Sequence, residues 1–183
     1  MTKQLTGIIL AGGKSKRLGK DKGLTSLNGK PLIQYSIDLL EALNVPIIIV
    51  TNQLGYEQFG YPIVEDAFKN KGPIGGIYSG LLQSKTEVNI VLSCDTPYVP
   101  VELIKQLIKA SSHHQLTIAS YEIQLHPLIG IYKRSLIDEF KKSIQENQLK
   151  LVSLCLELMA HKVPFESDTV ISARSFTNIN TLE

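Results

Sequence analysis

Thirteen residues near the amino terminus carry the densest chemistry in the chain: Leu10-Ala11-Gly12-Gly13-Lys14-Ser15-Lys16-Arg17-Leu18-Gly19-Lys20-Asp21-Lys22. Ala11, Gly12 and Gly13 keep side-chain bulk away from the backbone, so their amides can approach an anion closely and the chain can take positive φ. Lys14, Lys16, Arg17, Lys20 and Lys22 crowd the same segment. Cations packed this tightly repel one another unless something anionic sits among them, and a triphosphate is such an anion. The spacing is neither the GxxxxGK-Ser/Thr of a P-loop nor the GxGxxG of a dinucleotide site. The segment reads as a phosphate cradle of another kind.

Further candidates lie along the chain. Asp95 follows the apolar run Ile90-Val91-Leu92, which puts its carboxylate at the carboxyl end of a strand, the edge where open α/β sheets bind ligands. A single carboxylate there suits Mg²⁺ completed by waters and phosphate oxygens, and a buried capping aspartate is the alternative. Asp66 follows Val64 and could equally form an Asx turn or a helix cap. Gly72-Pro73-Ile74-Gly75-Gly76 supplies a helix start rich in small residues, suited to a pocket wall or to tight helix packing. In Phe176-Thr177-Asn178-Ile179-Asn180 the two asparagines alternate, which puts both amides on one face of an extended segment with Phe176 alongside; a terminal turn is the other reading. His126-Pro127 reads as structural, a histidine just before a strand, and His113, His114 and His161 show no ligand spacing.

These groups need a scaffold, and the apolar pattern supplies one. Leu5–Leu10 is a short buried strand directly before the glycine-rich loop. Strands follow at Ile47–Val50, Ile63–Val64, Val88–Leu92, Leu116–Ser120 and Leu128–Tyr132, with a weak one at Lys162–Phe165. Helical spacing marks Pro31–Leu43, Val101–Ala110, Leu136–Ile144 and Leu151–Met159, with Pro31 placed in a first turn. The alternation predicts an α/β chain whose strands pair in parallel through crossover helices. No repeat, low-complexity tract or linker interrupts it, so residues 1–183 are expected to form a single domain.

Composition narrows the function classes. With 43% hydrophobic and 20% charged residues the chain is expected to be globular rather than disordered. The apolar run from Val45 to Val50 falls far short of the roughly 20 residues of a membrane span, and the polar start has no signal-peptide layout, so a cytoplasmic location and no membrane partner are expected. Cys94 and Cys155 have no CxxC or Cys/His ligand spacing and are expected to be reduced, buried thiols. A net charge of +2, without a basic stripe interleaved with aromatics, gives no field to attract nucleic acid.

The segment from Leu10 to Lys22 resembles the LAGGxSxRxGxDK signature of molybdenum cofactor guanylyltransferases, enzymes that join GMP from GTP to the phosphate of molybdopterin. Glu65-Asp66, Gly72-Pro73-Ile74-Gly75-Gly76-Ile77, Cys94-Asp95-Thr96-Pro97, His126-Pro127 and Asn178-Ile179-Asn180-Thr181 extend the resemblance over nearly the whole chain. It implies a Rossmann-like three-layer α/β/α nucleotidyltransferase fold with a mostly parallel central sheet, a GTP-binding amino-terminal half and a molybdopterin-binding carboxyl-terminal half. On that basis Leu10, Ala11, Gly12, Gly13, Lys22, Asp66, Gly72, Gly76 and Asp95 bind the nucleotide. Arg17, Lys22 and Asp95 act in catalysis, Asp95 holds Mg²⁺, and Lys150, Asn178 and Asn180 bind molybdopterin. The family often has arginine near position 150.

The partners so implied are GTP, molybdopterin or the molybdenum cofactor, molybdopterin-handling proteins and acceptor molybdoenzymes. Related cytidylyl and sugar-nucleotide enzymes usually carry LAAG and a proline before the loop lysine, so Leu10-Ala11-Gly12-Gly13 and Asp21-Lys22 favour guanylyl transfer. A cytidylyl or sugar-phosphate nucleotidyltransferase of the same fold, and a non-catalytic GTP-binding cofactor carrier, are the competing readings. Family members usually continue past the position of Thr181 into a further helix, which leaves open a shortened variant with altered acceptor binding or a missing last helix.

Overall fold

The computed structural model describes residues 4–12 and 21–179. In chain order the elements are β1 (Leu5–Leu10), the hairpin β2 (Ser26–Leu27) and β3 (Lys30–Pro31), α1 (Leu32–Ala42), β4 (Ile47–Val50), β5 (Ile63–Val64), α2 (Gly72–Gln83), β6 (Val88–Ser93), α3 (Val101–Ala110), β7 (Leu116–Tyr121), β8 (Gln124–Lys133), α4 (Ile137–Gln145), α5 (Leu151–Glu157) and β9 (His161–Phe165). Seven strands form one sheet in the order β5-β4-β1-β6-β8-β7-β9. Neighbours pair in parallel except where β8 meets β6 and β7, so β8 opposes the other six. The sheet is thus mostly parallel, as expected.

Continuous apolar strands bury both faces, and the period of two decides which residue meets which helix. Ile9, Ile49, Ile90 and Leu92 point to one side, where α1 (Ile33, Ile37, Leu40) and α3 (Leu103, Ile104, Leu107) cover them. Ile8, Leu10, Ile48, Val50 and Val91 point to the other, under α2 (Ile74, Ile77, Leu81), α4 (Phe140, Ile144) and α5 (Leu154, Cys155). Both cysteines are buried thiols. The result is a Rossmann-like three-layer α/β/α arrangement. The parallel strands place the carboxyl ends of β1, β4, β5 and β6 along one edge.

Four details depart from the sequence reading. β8 begins at Gln124 rather than Leu128, so His126 and Pro127 lie inside the strand. Its register with β7 breaks between Ile118 and Ala119, and Pro127, without an N–H to donate, falls in that irregular stretch. Pro31 pairs with Ser26 and precedes α1 instead of sitting in its first turn. Helix α5 stops at Glu157 because Met159 adopts a left-handed φ of 51° and the Ala160 amide returns to the Cys155 carbonyl. Phe176 closes a one-turn helix, Ala173–Phe176, rather than lying in an extended segment; Ser172 and Ser175 cap that turn reciprocally.

Candidate functional site

Of the polar groups singled out in the sequence, Lys22, Asp66, Asp95 and Asn178 lie along the carboxyl edge. The Ala11 amide donates to the Val50 carbonyl (2.9 Å) and the Cys94 amide to the Leu10 carbonyl (3.1 Å), so the exits of β1, β4 and β6 stay in register one residue beyond the strands. Gly12 then emerges exposed beside Thr51. A methyl group added at Gly12 would meet nothing closer than Thr51, at 3.9 Å, among the described residues, which leaves the room that close approach of an anion requires.

Asp66 sits at the exit of β5 in a reciprocal clasp with Asn52 at the exit of β4. Asn52 Nδ2 donates to Asp66 Oδ2 (2.8 Å), and the Asp66 amide donates to Asn52 Oδ1 (3.0 Å). Partial burial raises the Asp66 pKa above the ordinary carboxylate value, against the opposing effect of the Asn52 bond. The first turn of α2 closes over this pair: a methyl at Gly76 would lie 3.2 Å from Leu10 Cδ2 and 3.6 Å from Asp66 Oδ1. Buried Ser79 ties the loop down, accepting from the Ala67 amide (2.9 Å) while donating to the Gly75 carbonyl (2.9 Å). Gly72 opens α2 with a φ of +60° in open space, so glycine is favoured there by backbone conformation rather than by contact.

At the exit of β6, Lys22 Nζ donates to Asp95 Oδ2 at 2.6 Å, and Ser93 Oγ donates to Asp95 Oδ1 at 2.5 Å. The pair is partly open, with 21% of the lysine and 15% of the aspartate side chain exposed. Lys22 starts a one-turn helix, Lys22–Leu24, whose cap is Asp21; Asp21 Oδ1 accepts from the Gly23 amide (3.0 Å) and from the Tyr56 hydroxyl. Buried Cys94 lies under this turn, and burial, with the negative charge of Asp95 added, pushes its thiol up to about 12.

The carboxyl-terminal segment completes the edge. The Ile179 amide donates to the Asp95 carbonyl (2.9 Å), which brings exposed Asn178 beside the Asp95 strand. Buried Phe176 anchors the segment by stacking on Tyr121 (centroids 4.8 Å apart) and tilting against His126 (4.8 Å). His126 Nε2 is buried without a hydrogen-bond partner among the described residues, and burial lowers its pKa.

Lys150 lies elsewhere. It precedes α5 and lines an open cavity of about 280 Å³ with Ser143, Asn147 and Glu157, on the α2–α4–α5 side of the sheet. That cavity includes none of Lys22, Asp66, Asp95 or Asn178. Gly13, Arg17 and Asn180 fall outside the described residues, as do Lys14, Lys16 and Lys20. Sequence reasoning missed Asn52, Ser93 and Tyr56 and gave Asp21 no role of its own. Asn52, two residues beyond the end of β4 as Asp95 is beyond β6, shares the strand-exit position that flagged Asp95. Tyr56 carries no comparable signal.

The donor set fits a magnesium ion. Mg²⁺ uses one or two carboxylates and takes its remaining ligands from water and phosphate. Asp95 offers one partly exposed carboxylate at the edge where phosphates would lie, and no cluster of three His, Cys, Asp or Glu residues stands among the described residues to offer a fuller cage.

An open, mostly parallel sheet covered on both faces, with amide, carboxylate and ammonium groups gathered at its carboxyl edge, defines the class of Rossmann-like α/β proteins. The model of the MobA-like NTP transferase domain matches residues 7–159, and the chain belongs to that family. A probable molybdenum cofactor guanylyltransferase of Flavobacterium johnsoniae is 36% identical over 98% of this chain and 93% of its own length. A molybdenum cofactor guanylyltransferase of Yersinia pestis is 33% identical over 99% of this chain and 93% of its own. The crystal structure of molybdopterin-guanine dinucleotide biosynthesis protein A from Archaeoglobus fulgidus superposes with a TM-score of 0.79 at 24% identity, covering 96% of this chain and 92% of that one, and so shares the fold.

Proposed function

We propose that this chain transfers GMP from GTP to the phosphate of molybdopterin or of the molybdenum cofactor, releasing pyrophosphate. The observation that carries the reading is the Lys22–Asp95 pair, held at 2.6 Å at the carboxyl edge beside Leu10-Ala11-Gly12. The names of its full-length relatives and the signature from Leu10 to Lys22 support the same reading. An oxygen of the acceptor phosphate forms a bond to the α-phosphorus of GTP, the bond from that phosphorus to the β-bridging oxygen breaks, and its electron pair leaves on pyrophosphate. No covalent enzyme intermediate and no proton transfer are needed, so catalysis rests on positioning and on neutralising charge.

In this reading the backbone of Leu10, Ala11, Gly12 and Gly13 cradles the phosphates. Arg17 and Lys22 neutralise charge as it builds on the leaving pyrophosphate. Asp66, with Gly72 and Gly76 walling the pocket, contacts the guanine nucleotide. Asp95 would hold Mg²⁺, whose bound charge would draw two anions together. Asn178 and Asn180 would meet the pterin or its phosphate, whereas Lys150, which lines a separate cavity, has no part in this arrangement. The amino-terminal half thus serves GTP and the carboxyl-terminal half molybdopterin within one domain.

Molybdopterin-handling proteins would deliver the acceptor and molybdoenzymes would receive the product, in the cytoplasm. Among the described residues no helix is long and apolar enough to cross a membrane. Protein, Mg²⁺ and molybdopterin incubated with GTP, CTP, ATP or UTP in turn should release pyrophosphate with GTP. Release with CTP instead would make the chain a cytidylyltransferase, and tight GTP binding with no release would make it a carrier.

A further inference from the structure

Tyr56 is fully buried although it sits in the connection after β4, between a loop and a one-turn helix, where side chains are normally exposed. Its hydroxyl donates to Asp21 Oδ1, the same oxygen that accepts the Gly23 amide at 3.0 Å. The backbone of the turn from Asp21 to Thr25 closes on the same residue: the Leu24 amide donates to the Asp21 carbonyl (3.2 Å), as does Thr25 Oγ1 (3.0 Å), and the Thr25 amide donates to the Lys22 carbonyl (3.1 Å). The packing is as close as the bonding. A methyl at Gly23 would fall 2.3 Å from the Tyr56 oxygen and 3.2 Å from Cys94 Sγ, and one at Gly55 would fall 3.1 Å from Leu24. Lys22, the next residue after Asp21, is the one that reaches Asp95.

We infer that Tyr56 is a positioning residue for GMP transfer: its hydroxyl fixes the Asp21 carboxylate, and through it the turn that holds Lys22 against Asp95. The inference rests on the function proposed above. A phenol suits the task because it gives a charge-assisted bond to a carboxylate while its ring fills the space beneath the turn. Burial, reinforced by the bond to Asp21, raises the phenol pKa far above its ordinary value, so the hydroxyl stays a donor throughout the working pH range. A lysine left to sample several rotamers would meet the phosphates in a productive geometry only part of the time, a loss that falls on turnover rather than on nucleotide affinity.

The test is Tyr56→Phe, which keeps the ring and removes the oxygen, alone and combined with Lys22→Ala. The expected result is a kcat about tenfold lower with KM for GTP changed less than twofold, and less than a twofold further effect in the Lys22→Ala background. Full activity of Tyr56→Phe, or the same tenfold loss with Lys22 already removed, would overturn the inference. Amide exchange reads the tether independently of the reaction. Exchange at residues 21–25 should quicken at least tenfold in Tyr56→Phe while β6 is unchanged, and unchanged exchange at 21–25 would also overturn it. If the unaltered protein transfers no GMP, the proposed function fails, and the exchange result still decides whether the tether exists.

Discussion

An ammonium 2.6 Å from a carboxylate, with only 21% and 15% of the two side chains exposed, adds little net stability, because taking both charges out of water largely offsets their attraction. In the proposed function the same pair lies where phosphates would converge and is well suited to stabilising charge. Lys22→Ala and Asp95→Asn should fold with near-parental circular dichroism and a lowered melting temperature, since each leaves one largely buried charge without its partner. Each should lower GMP transfer by about two to three orders of magnitude, the cost of removing one preorganised charge-stabilising contact. Near-normal turnover in either variant would remove that residue from the catalytic group. At this scale the sequence was informative where a residue follows a strand: Asp95 and Asp66 both lie at the expected edge. It was silent where partners come from distant segments. The Tyr56 hydroxyl on Asp21, 35 residues away, and the Ile179 amide on the Asp95 carbonyl depend on tertiary closure that no local pattern encodes.

Among the elements, α2 carries the site's far wall and must lie close on β1 and β4. Gly80 makes this possible, since a methyl there would fall 2.6 Å from Ile8 Cγ2 and 3.3 Å from Val50 Cγ2. Gly80→Val should overpack this seam and destabilise the fold by about 1 to 3 kcal/mol, read as a lower urea midpoint. An unchanged midpoint would mean that α2 has room to lift. Most elements were legible because buried strands and amphipathic helices differ in period; α3 appears from Val101 to Ala110, as its spacing predicts. The errors fall where a local device overrides periodicity: the register break that admits Pro127 into β8, the left-handed Met159 after α5, and the serine-capped turn that ends in Phe176.

Across the whole molecule, burial of polar groups ties stability to pH. His126 lies against Phe176 with its Nε2 buried, and burial holds its folded pKa below the ordinary value of 6.5. The unfolded chain then binds a proton that the folded chain refuses. Stability should fall as pH drops below about 6.5 and be fully present above it. His126→Gln should flatten that acid limb in melting curves between pH 7 and 5; an equally steep limb would assign the effect to other groups. The same contact bears on the proposed function, because Phe176 holds the segment that carries Asn178 to the Asp95 strand. Three layers, a parallel edge and a returning carboxyl-terminal strap together bring residues spread between Leu10 and Ile179 to one edge of the sheet.

The central claim is that a guanylyl group leaves GTP and joins the acceptor. Mass spectrometry of molybdopterin after incubation with the protein, Mg²⁺ and GTP reads this directly. The expected product is heavier by one GMP unit, with one pyrophosphate released for each unit added and no adduct when CTP replaces GTP. Molybdopterin recovered at its original mass, despite saturating GTP and a folded protein, would contradict the central claim.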